Sequence, residues 1–138
     1  MRIKLDEGAI RPVRAHATDA GLDIFAMHDG IVRAHQSAVF HTGVHVELPA
    51  GIMGDVRPKS GLMFGHDLLT FGTVDEGYDG EVMVKMFNLG GEDFSVRRGD
   101  KITQLATVRV VYEPVEIVED IGRGERGSNG FGSTGVRA

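Results

Sequence analysis

The chain contains no cysteine, so a disulfide framework and a thiolate metal site are both excluded. No apolar stretch approaches the roughly 18–20 residues that span a bilayer. The opening residues Met1-Arg2-Ile3-Lys4-Leu5-Asp6 lack the apolar core of a secretory signal, and the expectation is a cytoplasmic protein without a membrane partner. There is no excess of positive charge. The formal net charge is −5, which argues against the broad basic face that nucleic-acid binding needs. A small phosphorylated ligand remains compatible, because it needs only a few local cations, oriented N–H groups or a bound metal ion. There is no internal repeat and no low-complexity linker before the C-terminal tail.

What the chain does have is glycine: 20 of 138 residues, about twice the usual ~7%. Most of these glycines separate short apolar runs, the pattern of an all-β chain with many tight turns. Hydrophobic residues make up 41% and charged residues 25%, as in an ordinary globular protein, and 138 residues suit one domain with one core. Strand candidates are Arg2–Leu5, Leu22–Ala26, Ile31–Arg33, Ala38–Phe40, Gly43–Leu48, Glu81–Phe87 and Lys101–Val111. Gly43–Leu48 and Glu81–Phe87 alternate with period two. Such runs at short spacing suggest a sandwich or barrel. The only helix-like piece is a turn around Ser60–Phe64, with Ser60 as its cap.

From Gly122 onward core-forming residues almost vanish, so the domain is expected to span 1–121 and a flexible glycine-rich arm 122–138. Taken by composition, the arm reads as disorder. Phe131 argues otherwise: an aromatic among glycines, with Arg126 before it and Ser133-Thr134 after it, has the makings of a clamp that orders on a nucleotide.

Five segments, in order, carry a family resemblance. They are Ala17-Thr-Asp-Ala-Gly-Leu-Asp-Ile-Phe-Ala26, Arg57-Pro-Lys-Ser-Gly-Leu62, Gly72-Thr-Val-Asp-Glu-Gly-Tyr-Asp-Gly-Glu81, Gly99-Asp-Lys-Ile-Thr-Gln-Leu105 and Arg126-Gly-Ser-Asn-Gly-Phe-Gly-Ser-Thr-Gly135. No single segment decides the matter. Five in sequence at sensible spacing resemble the trimeric dUTP diphosphatase (dUTPase) family over most of the chain.

The resemblance implies a single-domain β jelly roll of the β-clip kind and a homotrimer with three shared active sites. It implies hydrolysis of dUTP to dUMP and pyrophosphate by water attack on the α-phosphorus. Such an activity limits uracil incorporation into DNA and supplies dUMP for thymidylate synthesis. Mg2+ is the implied cofactor, held by the triphosphate and waters, with no direct protein ligand and with Asp23 acting through water. Asp75 matches the general base, which needs only hydrogen-bond reach of the attacking water. Tyr78 matches the ring that leaves no room for a 2′-hydroxyl. Gln104 matches a donor near the α-phosphate and the water, completing the catalytic set with Asp75 and Asp23. Lys59, Ser60 and Gly61 match phosphate binders, and Phe131 a uracil-stacking ring. Arg126, Gly132, Ser133 and Thr134 match groups that grip the outer phosphates. Asp100 is expected to pair with the arginine of the tail.

Taken singly, Asp23 reads as a solvated strand residue, Asp75 as a turn aspartate and Tyr78 as a core aromatic. The sequence also departs from the family pattern. Lys59 and Lys101 stand where arginine is usual, keeping charge but losing the bidentate fork. Asn129 takes a glycine position, a mild change because asparagine tolerates positive φ. Arg57 is either a substitute for the lost pairing or an ordinary surface residue.

Three rivals are weighed beside this reading. A dCTP deaminase of the same fold would carry glutamate ten residues after the hairpin aspartate, where this chain has Lys85. A non-catalytic regulator need not keep Asp75, Tyr78, Gln104 and Phe131 together. A histidine metalloprotein would use the i, i+4 spacing of His41 and His45, but no acidic residue lies between them and they flank a predicted turn and strand.

Overall fold

The computed structural model describes residues 1–122, 124–130 and 135. Among these the chain is all-β with one short helix. In chain order the elements are β1 (Arg2–Leu5), β2 (Gly21–Phe25), β3 (Gly30–Val32), β4 (Ser37–Phe40), β5 (Val44–Glu47), β6 (Ile52–Arg57) and α1 (Ser60–His66). They continue with β7 (Leu68–Thr70), β8 (Gly72–Val74), β9 (Val84–Asn88), β10 (Phe94–Val96) and β11 (Lys101–Arg109). Every strand pair is antiparallel, so side chains alternate between a core face and an outer face. The strands form a four-stranded sheet in the order β2-β11-β6-β8, a three-stranded sheet β4-β9-β7, and the pairs β1-β5 and β3-β10.

The core has two parts. Ile24, Val44, Val46, Val56, Val74 and Leu105 meet in one cluster, and Ala26, Val32, Phe40, Val84, Met86 and Ile102 in the other. β11 feeds both through Leu105 and Ile102, and β2 gives Ile24 to the first while Ala26, just past its end, joins the second, which ties the four-stranded sheet to the rest. They do so through a β-bulge. Gln104 pairs with Asp23 and Thr103 with Ile24, but Lys101, not Ile102, pairs with Phe25. The extra residue lets Ile102 and Thr103 both point inward. Buried Thr103 is satisfied there. Its hydroxyl donates to the Arg57 carbonyl at 2.8 Å and meets the Thr70 hydroxyl at 2.8 Å. No buried side-chain polar atom among the described residues lacks a partner.

Three sequence expectations are revised. The strand over Glu81–Phe87 begins only at Val84. Val82 N–H bonds back to the Val44 carbonyl, and Met83 N–H turns to the Glu81 carbonyl. A strand over Ile52–Arg57 passes unseen in the sequence because Gly54 interrupts its pattern. A Cβ at Gly54 would lie 3.0 Å from Leu105 Cδ1 and 3.1 Å from Val74 Cβ, so the glycine marks close strand approach. Finally, Ser60 is the first residue of α1 and does not cap it. Lys59 holds the extended N-cap position without a side-chain cap bond, and left-handed Asp67 ends the helix.

Candidate active site

The antiparallel register of the four-stranded sheet lines up one row of polar side chains across its outer face. Asp23 on β2, Gln104 on β11 and Arg57 on β6 are direct cross-strand neighbours. Their chain neighbours Leu105 and Val56 point the other way, into the core. The next row on the same face holds Gly21, Ala106, Asp55 and Thr73. Gly21 is required there. A Cβ would lie 2.5 Å from Gln104 Oε1 and 2.9 Å from Gln104 Cβ, so the missing side chain is the space Gln104 occupies. Gln104 then donates from Nε2 to the Pro58 carbonyl at 3.0 Å, binding β11 to the segment that follows β6.

Asp23 is not a solvated strand residue, for it is only 6% exposed. Lys59 Nζ donates to Oδ1, and Lys101 Nζ to Oδ2 at 2.7 Å. Burial works against the ionised form. The hydrogen bonds from Lys101 and Lys59, with their charges, outweigh it and hold the carboxyl below the usual carboxylate range. The bulge explains why Lys101 takes part. Pairing with Phe25 puts Lys101 on the face of Asp23, where regular pairing would have put Ile102. In the sequence alone Lys101 shows only as a departure from a pattern. Arg57 turns aside, donating from Nε to Asp55 Oδ2 at 2.6 Å.

Ser60 and Gly61 follow Lys59 in the first turn of α1, and both are exposed. A side chain on Gly61 would meet nothing within 4 Å, so the backbone there is open to a ligand.

Asp75 and Tyr78 lie beyond β8, on the opposite side of the sheet from β2, with β11 and β6 between. Both are exposed. The Tyr78 N–H closes the turn on the Asp75 carbonyl at 3.1 Å, and the phenol donates to the Glu81 carbonyl at 3.0 Å. Its ring lies where any side chain at Gly80 would collide with it. Two clasps fix this hairpin. Glu76 accepts the Gly51 N–H at 2.5 Å and the Tyr112 hydroxyl at 2.9 Å. At the other end, Glu81 Oε1 accepts the N–H groups of Thr42 and Gly43, each at 2.8 Å, and Oε2 meets His41 Nδ1 at 2.8 Å. His45 lies between the Asp79 carbonyl and the Asp6 carboxylate, at 3.0 Å from each. Both partners accept only, so the doubly protonated ring satisfies both, and the His45 pKa is raised. His41 and His45 are thus engaged with hairpin groups.

Arg126 lies in an exposed turn over 125–128. Phe131, Gly132, Ser133 and Thr134 lie outside the described residues. Asp100 accepts the Arg97 N–H at 2.8 Å, and among the described residues it makes no pair with Arg126. One chain therefore gathers the first, second and fourth segments around Asp23 and keeps the hairpin apart from them.

The dUTPase family profile matches residues 7–135. The chain belongs to the dUTPase family. It is 42% identical over 137 residues to the deoxyuridine 5'-triphosphate nucleotidohydrolase of Clostridium acetobutylicum, covering 97% of this chain and 94% of that one. The enzyme of the same description from Trichodesmium erythraeum is 42% identical over 136 residues, with 96% of each chain covered. Among solved structures, a variant dUTPase of Staphylococcus bacteriophage 80alpha with dUpNHpp superposes with a TM-score of 0.90 at 27% identity, covering 98% of both chains. A variant of the dUTPase of phage phi11 of S. aureus, in which a structural Mg(II) ion is coordinated, superposes with a TM-score of 0.79 at 27% identity, covering 86% of this chain and 96% of that one.

The donor set of this dUTPase chain suits magnesium in one particular way. No group of three or more His, Cys, Asp or Glu able to cage a metal occurs among the described residues. Asp23, with one ammonium on each oxygen, still has about two acceptor positions free. A single carboxylate acting beside substrate phosphates is how hydrated magnesium is commonly held. Among the described residues of this dUTPase chain, no helix is long and apolar enough to cross a membrane.

Proposed function

We infer that this protein hydrolyses dUTP to dUMP and pyrophosphate. One observation carries the reading: family membership with about 40% identity to curated dUTP nucleotidohydrolases over nearly the whole chain. The activity limits uracil incorporation into DNA and yields dUMP, and we assign it to the cytoplasm.

In the proposed mechanism Asp75 orients a water and takes its proton as the water attacks the α-phosphorus in line, with pyrophosphate leaving on the far side. Gln104, held against Pro58, directs its amide toward the α-phosphate and that water. Lys59, Ser60 and Gly61 bind the phosphate chain. Prealigned donors of this kind supply the largest share of catalysis in phosphoryl chemistry. Tyr78, propped by Gly80 and the Glu81 carbonyl, excludes a 2′-hydroxyl. Asp23 would hold magnesium through water, and the metal, when bound, would supply charge that offsets the triphosphate. Residues 122–138 act as an arm on the 1–121 catalytic domain. In it Phe131 stacks on uracil, while Arg126, Gly132, Ser133 and Thr134 close over the outer phosphates and keep bulk water out.

We assign a homotrimer with shared sites. Two features support it. The hairpin of Asp75 and Tyr78 stands apart from Asp23 and Gln104 within one chain. The segment after β11 leaves Val111, Val115, Ile117 and Ile121 each more than 70% exposed, and a groove of about 340 Å3 runs beside β1 and β5. A neighbouring chain would cover both and bring a hairpin to each Asp23.

The test is pyrophosphate release from dUTP, dCTP, dTTP and UTP, with magnesium and then with EDTA. The expected result is magnesium-dependent release from dUTP alone. Asp75→Asn should abolish turnover while keeping nucleotide binding, and turnover at the parent rate would remove Asp75 from the role of base.

A further inference from the structure

The two departures from the family pattern meet at one atom group. Lys59 and Lys101, which stand where the resembled pattern has arginine, lie 42 residues apart in sequence, yet their ammonium groups share the carboxylate of Asp23, one on each oxygen. Three charges in one place leave a net surplus of one positive charge beside Ser60 and Gly61. The choice of lysine matters physically. A guanidinium binds a carboxylate as a flat, two-pronged fork, whereas an ammonium is a compact donor on a rotatable stem. Two ammonium groups fit one buried carboxylate, and each is able to leave it without dismantling a paired fork.

The positions of the lysines differ in what leaving would expose. Lys59 directly precedes Ser60 and Gly61, and its side chain is 26% exposed. Lys101 is anchored in β11, aimed at Asp23 by the bulge. If Lys59 alone served Asp23, its departure would strand a buried charge, which is costly. With Lys101 in place it does not.

We propose that Lys59, Asp23 and Lys101 form a charge-exchange set, in which an arriving triphosphate takes Lys59 from Asp23 while Lys101 alone keeps Asp23 aimed at the metal's water shell. Lys101 is then a positioning residue that acts through Asp23, and Lys59 contacts the substrate. No covalent bond changes in the exchange; one ion pair replaces another. The inference rests on the functional reading above and deepens it, since the set takes a magnesium-loaded triphosphate and not a monophosphate.

Calorimetric binding of dUpNHpp and of dUMP to the full chain, with magnesium and with EDTA, separates the roles. Lys59→Met should weaken dUpNHpp binding about 10- to 100-fold, the loss of one charge-assisted hydrogen bond, under both conditions, and leave dUMP binding near parental. Lys101→Met should weaken it by about tenfold or more both in magnesium and in EDTA, because Lys59 then leaves Asp23 only by stranding a buried charge, and Lys101→Arg should restore it. Asp23→Asn with Lys101→Met should be no weaker in magnesium than Asp23→Asn alone, because nothing remains for Lys101 to hold. Removing Lys101 leaves Asp23 paired with Lys59, so the fold is kept. The same Lys101→Met loss on the Asp23→Asn background as on the parent would make Lys101 a direct phosphate ligand and overturn the proposal. So would parental affinity of Lys101→Met in both magnesium and EDTA. Hydrolysis of dUTP by the parent is measured on the same preparations. Its absence overturns the functional reading and this inference together, whereas its presence with no coupling between Lys101 and Asp23 overturns only the exchange.

Discussion

Glu81 offers the sharpest test of how the hairpin is held. Its Oε1 accepts two backbone N–H groups, from Thr42 and Gly43, at 2.8 Å each. Thr42 is fully buried and Gly43 is buried, so neither N–H finds water if the acceptor is lost. Hydrogen bonds to a charged acceptor contribute roughly 1.5–3 kcal/mol apiece. Glu81→Ala should therefore cost about 3–6 kcal/mol. Glu81→Gln has an amide oxygen able to take the place of Oε1 for both donors. It loses only the charge, and should cost about 1–2 kcal/mol. The assay is urea unfolding followed by far-UV circular dichroism at fixed protein concentration, since an oligomer's stability depends on concentration. The pH dependence adds a sign. Burial opposes ionisation of Glu81, but the donors from Gly43, His41 and Thr42 outweigh it and lower its pKa. The stabilisation is present above the unfolded carboxyl's value of about 4.3 and is lost as pH falls through the lower folded value. The gap between parent and Glu81→Gln should therefore close only in acid. Equal losses for the two variants, or a loss below about 1 kcal/mol for Glu81→Ala, would refute the clasp.

Two further perturbations probe the neighbouring geometry. Gly21→Ala puts a Cβ against Gln104 and forces its amide off the Pro58 carbonyl; kcat should fall about tenfold or more, and unchanged turnover would show that Gln104 does not need that place. The His45 pKa is raised by the Asp79 carbonyl first and the Asp6 carboxylate second, against burial and the charge of Lys4. That stabilisation is fully present below the unfolded histidine value of about 6.5 and fades as pH rises through the higher folded value. His45→Gln should melt below the parent at about pH 6, with the gap shrinking in alkali, and a gap that is constant with pH would refute the charged ring.

The residues that sequence reading found are those whose pattern is local. Period two in Val44–Glu47 and the long β-branched run from Lys101 are properties of single strands, and they appear nearly as expected. Asp75, a turn aspartate when taken singly, does open a turn, whereas Tyr78, a core aromatic when taken singly, is exposed. What escaped depends on pairing. Gly54 looks like a strand breaker until Leu105 and Val74 are packed against it. Leu68–Thr70 and Gly72–Val74 are too short to show a period and exist because β9 and β6 hydrogen-bond them. Asp23 reads as solvated because nothing near it in sequence is basic; its two lysines arrive from β11 and from the chain after β6. Glu81 was visible as the end of a motif, but its service to Thr42 and Gly43 is a contact across some 40 positions.

The bulge in β11 gives that strand two separate counts. Inward positions follow the number of residues in the chain, so Ile102 and Thr103 both reach the interior. Outward positions follow the rungs of the ladder, on which Lys101, Phe25, Asp23 and Gln104 are already in step without residue 102. Excising that one residue would leave a hole beneath the sheet and the outer alignment intact. The protein's interior and its chemistry are thus free to drift in length by different amounts along a single strand.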